Sequence, residues 1–132
     1  MAQDHVTALA SRGDFEAWLL ARGSLAGVAF LIVDVVGLKQ VNEERGFLAG
    51  DDLLRAAARR LREAATPALL VARLGGDELV AAFCEAQQAE ATLRTVGAEG
   101  AEPRLRAGIT VGRAGDTRET LINRLYTTVR RS

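Results

Sequence analysis

The stretch ALLVARLGGDELVAAF (residues 68–83) decides the fold of this 132-residue chain. It contains two apolar runs, residues 68–74 and 78–83, with Gly-Gly-Asp (residues 75–77) between them. Short apolar runs on either side of a glycine-rich turn are typical of a β-hairpin. We therefore predict two antiparallel strands that this turn connects.

The segments on either side of the hairpin complete a mixed pattern. Residues 27–36 (GVAFLIVDVV) predict a central strand, because the run is rich in β-branched and aromatic residues. Residues 50–65 predict the clearest helix, with an apolar stripe along one face. Further segments predict helices at residues 14–20 (with Asp14 as N-cap), 85–96 and 117–129, and a strand at residues 105–111. The order helix, strand, helix, hairpin, helix, strand, helix predicts an α+β domain.

Composition limits the class of protein. The length fits one domain, residues 1–132, and 48% hydrophobic with 26% charged residues is ordinary for a globular chain. A formal net charge of zero argues against nucleic acid or an anionic membrane as partner. No apolar run is long enough for a transmembrane helix and the N-terminus lacks a signal peptide pattern, so we expect a cytoplasmic location. Cys84 lies in an apolar run with residues 79–83, which predicts a small core residue in a reducing compartment; the alternative is a reactive thiol.

Acidic residues stand at two points where strands are expected to end. Asp34 lies inside an apolar strand, where a carboxylate is costly unless it is paired or bound to metal; the alternative is an aspartate that caps the next helix. Asp77 and Glu78 lie at the hairpin tip; the alternative is an ordinary tight turn with solvated acids. Together the three predict a site for a hard divalent cation such as Mg²⁺, which could hold a triphosphate.

The hairpin sequence LGGDELV (residues 74–80) resembles the signature of GGDEF domains, with Leu79 where the family usually has Phe. Other segments resemble the family's motifs in the same order: DHVTAL (4–9) its D-x-L-T-x-L, DVVGLKQVNE (34–43) its D-x-D-x-[FL]-K-x-x-N-D, GFLAGDDLL (46–54) its G-H-x-x-G-D-x-L-L, GITVG (108–112) its S-x-G strand and Leu125-Tyr126 its A-L-Y. The resemblance therefore covers almost the whole chain.

This resemblance implies a palm-like nucleotidyl cyclase fold, with a central, mostly antiparallel sheet of about five strands surrounded by helices. It also implies a diguanylate cyclase that condenses two GTP molecules into cyclic di-GMP in bacterial second-messenger signalling, with Mg²⁺ or Mn²⁺ as cofactor. Each family domain binds one GTP, so a second copy of the domain is the implied partner.

The resemblance implies roles for the acidic residues and for Val35. Asp34 would bind the metal through its side chain and Val35 through its carbonyl group. Asp77 and Glu78 would add metal ligands and help to deprotonate the ribose 3′-hydroxyl, with no division of these roles between them.

The resemblance also implies a set of substrate-binding residues. Asn42 and Asp51 would hydrogen-bond the guanine, a task that suits an amide and a carboxylate. Gly75 and Gly76 would let the nucleotide lie close to the hairpin. Lys39 would reach phosphate, although a surface lysine on a helix is an equally fair interpretation.

Several positions depart from the family pattern. Val36 replaces the second aspartate of D-x-D, Phe47 the histidine, and Val129 a lysine that contacts the triphosphate. Residues 66–69 (TPAL) lack the Arg and Asp of the family's inhibitory product site, so product inhibition through that site is not expected. The alternative function is therefore a degenerate domain that binds GTP or a protein partner without turnover. A cyclase acting on another nucleotide and a purely structural role also remain open. Partner or sensor modules usually bring two such domains together, and we expect no room for one within 132 residues, so the chain would self-associate weakly, come from a longer protein, or make no product.

Overall fold

The structure, a computed structural model, describes residues 3–98 and 100–130. The residues outside this description are Met1, Ala2, Glu99, Arg131 and Ser132. The elements follow in the order α1 (Arg12–Arg22), β1 (Ala29–Val35), α2 (Leu38–Arg45), α3 (Phe47–Ala64), β2 (Leu70–Arg73), β3 (Glu78–Phe83), α4 (Ala86–Val96), β4 (Leu105–Val111) and α5 (Arg118–Arg130). None of these helices is long and apolar enough to cross a bilayer. The predicted α+β class is confirmed.

The sheet is antiparallel and has the strand order β2-β3-β1-β4. The hairpin prediction is therefore confirmed, because β2 pairs with β3 along residues 70–73 and 79–82. The central strand β1 pairs with β3 on one side and with β4 on the other. Its end consequently lies beside the start of β3, where the hairpin turn carries the acidic residues.

The described residues form four strands rather than about five. The segment before α1 runs along the free edge of β2 but pairs with it only at Ala10. There the Ala10 amide donates to the Val71 carbonyl at 3.2 Å, and the Arg73 amide donates to the Ala10 carbonyl at 2.9 Å. Because α1 begins two residues later, the contact remains an isolated bridge and no further strand forms.

Two apolar cores lie on opposite faces of the sheet. Leu31 and Val33 of β1 belong to the core that α3 and α4 cover. Phe30 and Ile32 point to the other face, where α1 and α5 pack and where Phe15 meets Phe30 edge to face at 6.2 Å between ring centroids. Burial of each such side chain contributes roughly 1.5–3 kcal/mol. A strand buried on both faces reads as a nearly continuous apolar run, and β1 was recognisable as one that only Asp34 interrupts.

The helix boundaries correct three expectations. Ser11, not Asp14, caps α1, because its hydroxyl oxygen accepts the Asp14 amide at 3.1 Å. Helix α2 was not among the predicted helices, since only Leu38 of its eight residues is buried. Helix α3 begins at Phe47, three residues earlier than residue 50, because Gly46, with φ of 88°, ends α2 and starts α3 without a longer loop.

Cys84 also differs from its prediction. Its side chain is exposed, because β3 ends at Phe83 and Cys84 already belongs to the short connection to α4. The predicted strand at residues 78–83 matches β3, so the error concerns only the burial of the residue that follows it.

Candidate functional site

The candidate site is formed where β1 ends beside the hairpin tip. Asp34 of β1 pairs directly with Glu78, the first residue of β3. The Asp77 carbonyl accepts the Val35 amide at 2.9 Å, which extends the pairing into the turn. One oxygen from each of Asp34, Asp77 and Glu78 lies within 4.8 Å of the other two. The antiparallel register thus brings Asp34 to the adjacent acids Asp77 and Glu78, from which it is 43 and 44 positions away in the chain.

The two glycines at the hairpin tip differ in the space that surrounds them. A Cβ on Gly75 would lie 2.2 Å from Glu78 Oε1, so a side chain there would displace the carboxylate. A Cβ on Gly76 would meet nothing within 4 Å, and this position is open to solvent. Arg73 holds the turn from β2: Nε donates to the Gly75 carbonyl at 3.2 Å and Nη2 to the Gly76 carbonyl at 2.8 Å. Arg73 also pairs with Asp4 at 3.1 Å, which fixes its guanidinium.

The three acids share protons near neutral pH. Burial, together with the neighbouring Asp77, raises the pKa of Glu78 to about 8. Burial and Asp77 likewise raise the pKa of Asp34 to about 6. The hydrogen bond from Glu78 lowers the pKa of Asp77, so this carboxylate is the ionised partner of the group. Close like-charged carboxylates shift in this way when no cation balances them, and a divalent ion can take the place of the shared protons.

The residues present fit a hard divalent cation. Among the described residues, Oδ1 of Asp34 is one of two buried side-chain oxygens that lack a hydrogen-bond partner. Leaving a buried carboxylate oxygen without a partner is costly, and coordination would satisfy it. Carboxylate oxygens are also the ligands that Mg²⁺ and Mn²⁺ prefer. A ligand role for these three acids and for the Val35 carbonyl nevertheless stays a prediction.

Arg106 is a residue of the site that the sequence analysis missed. It lies on β4 directly across from Asp34, and its Nη1 is 3.8 Å from Asp34 Oδ2. A basic residue inside the predicted strand at residues 105–111 was visible in the sequence, but its place opposite Asp34 depends on the register of β1 and β4. Its positive charge offsets part of the negative charge that the three acids concentrate.

Arg130 is the second cation near the acids. Its charge opposes the upward shift in the pKa of Glu78, and its guanidinium lies 5.7 Å from the ring centroid of Tyr126. The Tyr126 hydroxyl lies 3.2 Å from the position of a Cβ on Gly75, which places this face of α5 beside the hairpin tip. Val129, in contrast, is buried in the core with only 5% exposure. The cation that α5 directs toward the site is therefore the residue after Val129.

The predicted base-binding residues lie where α2 meets α3. Asn42 of α2 packs so closely that its Oδ1 lies 1.7 Å from the position of a Cβ on Gly50. Asp51 follows Gly50 on α3, and both Asn42 and Asp51 are half-buried. Lys39 is exposed on α2. The structure thus brings Asn42 and Asp51 to one corner between two helices, whereas their roles and that of Lys39 stay predictions.

Known proteins match this chain over most of its length. The family profile described as "Diguanylate cyclase, GGDEF domain" matches residues 1–124. An uncharacterized signaling protein of Caulobacter vibrioides is 37% identical over 82 residues, which cover 58% of this chain and 10% of that protein. The chain spans about a tenth of the length of the curated relatives it matches.

Several solved structures have the same fold as this chain. A sensory box/GGDEF family protein from Caulobacter crescentus is 27% identical, with a TM-score of 0.74, and the match covers 99% of this chain and 97% of that chain. The GGDEF domain of DgcB from Caulobacter crescentus, solved in complex with c-di-GMP, has a TM-score of 0.79 at 22% identity, over 98% of this chain and 88% of that chain. At that identity the second likeness concerns the fold alone.

Proposed function

Because the chain belongs to the GGDEF domain family, we propose that it is a diguanylate cyclase domain that condenses two GTP molecules into cyclic di-GMP with Mg²⁺ or Mn²⁺. The observation that carries this proposal is the convergence of Asp34, Asp77 and Glu78 within 4.8 Å. These three are the residues present that would hold the ion. When bound, a divalent cation there offsets triphosphate charge and makes a coordinated hydroxyl more acidic.

The proposed reaction joins two nucleotides that two copies of the domain hold face to face. Each ribose 3′-oxygen attacks the α-phosphorus of the other GTP, a new P–O bond forms, and the bond from that phosphorus to pyrophosphate breaks. The hydroxyl proton passes to Asp77 or Glu78, and two pyrophosphates leave. Two P–O bonds form and two break, so no further reactant is needed.

The proposed binding roles come from the family resemblance, and the positions of the side chains support them. Asn42 and Asp51 share the corner between α2 and α3, where an amide and a carboxylate would hydrogen-bond the guanine edge. Arg130 would contact phosphate in place of the family's lysine, because it lies close enough to Glu78 to influence that carboxyl's pKa. Lys39 is a further phosphate contact that we propose from its place on α2. We assign the reaction to the bacterial cytoplasm, where GTP is available.

One observation supports a second candidate function. Arg106 already pairs with Asp34, and Val36 contributes no carboxylate, so the site carries less negative charge than a D-x-D pattern would give. A lower negative charge weakens the hold on a divalent ion. The second candidate is therefore a domain that binds GTP, or a protein partner, without turnover.

The test is product formation by the purified chain at high concentration with GTP and Mg²⁺, resolved by chromatography. The variant Asp77→Asn/Glu78→Gln keeps side-chain size and removes the charge. The double variant Asp52→Asn/Glu63→Gln is the matched control, because both of those acids are exposed on α3. We expect cyclic di-GMP from the wild-type chain and the control, and none from the site variant. No product from a wild-type chain that still binds GTP would overturn the cyclase and favour the second candidate.

A further inference from the structure

Two large apolar side chains stand in solvent at the start of α3. Phe47 is 75% exposed and Leu48 is 80% exposed, the highest values among the exposed large apolar residues of the described chain. They are adjacent, and both lie at the corner where α2 meets α3. Single exposed apolar residues are common, whereas an adjacent exposed pair beside a candidate binding site is typical of a surface that contacts a ligand or a partner.

Helix geometry separates the two side chains. Successive residues of a helix are rotated by about 100°, so Gly50 lies about 60° to one side of Phe47 and Asp51 about 40° to the other. Phe47 therefore projects from the middle of the face that Gly50 and Asp51 define, about 10° from its centre. Leu48 lies about 110° from that centre, on the neighbouring face.

Asn42 reaches the same face from α2. Its Oδ1 lies against Gly50, and its carbonyl accepts the Gly46 amide at 3.1 Å, one residue before Phe47. The Cα–Cβ bond of a helical residue tilts toward the helix N-terminus, so the Phe47 side chain leans back over the turn that joins α2 to α3. Helix geometry therefore puts Phe47 on the same side of α3 as Gly50 and Asp51, and Asn42 packs against Gly50 on that side.

We propose that Phe47 is a base-stacking residue: its ring packs against the face of the purine whose edge Asn42 and Asp51 hydrogen-bond. This inference rests on the proposed function and names a contact that it did not include. A nucleobase has polar edges and an apolar π-face, so edge contacts alone leave that face in water. Base–aromatic stacking is worth about tenfold to a hundredfold in affinity per base. Phe47 is the one aromatic residue in this corner of the described chain.

The experiment measures binding rather than turnover. The probe is the α,β-methylene analogue of GTP with Mg²⁺, titrated calorimetrically, because its bridge between the α- and β-phosphates resists cleavage. The variants are Phe47→Ala, Phe47→Tyr and Leu48→Ala, all at exposed positions, where substitution has little effect on stability. We expect Phe47→Ala to weaken binding by about tenfold or more, and Phe47→Tyr and Leu48→Ala to stay within about threefold of the wild type. The Phe47 ring protons should also shift upfield when the nucleotide binds.

The possible failures are distinguishable. If the wild-type chain binds the analogue and Phe47→Ala binds equally well, the stacking proposal is wrong while the proposed function stands. The stacking proposal is also wrong if both alanine variants weaken binding equally, or if Phe47→Ala changes only the sedimentation of the chain, since the ring would then belong to a contact between copies. If the wild-type chain does not bind the analogue at all, the proposed function and the stacking contact are both wrong.

Discussion

Glu78 combines partial burial with two neighbouring carboxylates, and this has a consequence for stability. Its pKa is raised from an ordinary 4.5 to about 8, so between about pH 4.5 and pH 8 the folded chain holds a proton that the unfolded chain has lost. That contribution to the free energy of unfolding is fully present below about pH 4.5 and is lost as the pH rises through 8. Glu78→Gln stays neutral at every pH. With the chelator EDTA present, we expect this variant to exceed the wild type by about 1 kcal/mol in unfolding free energy at pH 8.5, with a smaller excess at pH 5.5.

Urea unfolding at the two pH values measures this difference. Glu63→Gln is the matched control, because Glu63 is exposed on α3 and lies outside the acidic group. An excess for Glu78→Gln that is equal at both pH values, or a loss of stability at pH 8.5, would contradict the account of the three acids.

Single residues were predictable to different degrees. Asp34 was recognisable because a carboxylate inside an apolar strand needs a partner, and the structure places it beside Asp77 and Glu78. Arg106 was missed because its importance depends on the β1–β4 register, which one sequence does not specify. Cys84 was assigned to the core because apolar residues precede it, although the predicted strand and β3 both end at Phe83.

At the scale of elements, the packing of α2 against α3 positions Asn42. A Cβ at Gly50 would lie 1.7 Å from Asn42 Oδ1, so Gly50→Ala must push this amide away from its place. If Asn42 hydrogen-bonds the base, we expect Gly50→Ala to lower the affinity for GTP by about tenfold, the value of one lost hydrogen bond. Isothermal titration calorimetry with Mg²⁺ present measures the change.

Gly13 provides the matched control, because it lies in α1 and a Cβ there would meet only Ser11 Oγ at 3.7 Å. Gly13→Ala should leave GTP affinity unchanged and raise the free energy of unfolding by about 0.5–1 kcal/mol, since alanine favours the helix. In an Asn42→Ala background, Gly50→Ala should cause no further loss of affinity. Undiminished GTP binding by the single variant Gly50→Ala would show that the position of Asn42 is not needed.

The strands could be predicted more reliably than the helices. Apolar runs marked β1, β2 and β3, and β1 and β3 are almost entirely buried. Strand β4 has one buried residue of seven and was recognisable by its alternating pattern. Helix α2 escaped prediction because its sequence LKQVNEER is polar and its place is fixed by packing on α3 rather than by a wide apolar stripe. The boundary between α2 and α3 depends on the single residue Gly46, whose positive φ no periodicity reveals.

At the scale of the whole molecule, the sheet has helices on both faces, and the three acids of the candidate site lie where β1 meets the hairpin. The α+β class followed from the order of elements alone, whereas the expected count of about five strands came from family resemblance and exceeds the four that are described. Convergence of the acids could be predicted only because antiparallel neighbours align their ends. The base corner could not be placed relative to them, since the path of α2 depends on long-range packing.

The most direct test of the central claim, that Asp34, Asp77 and Glu78 form a divalent-cation site, is Mn²⁺ titration observed by amide NMR of this 14.1 kDa chain. Paramagnetic Mn²⁺ broadens the signals of amides near its binding site. At substoichiometric Mn²⁺ we predict that amides of residues 34–36 and 75–78 lose intensity first, and that Asp34→Asn strongly reduces the effect. Broadening that is no greater there than at exposed acids such as Asp52 and Glu63, or that is unchanged in Asp34→Asn, would contradict the claim.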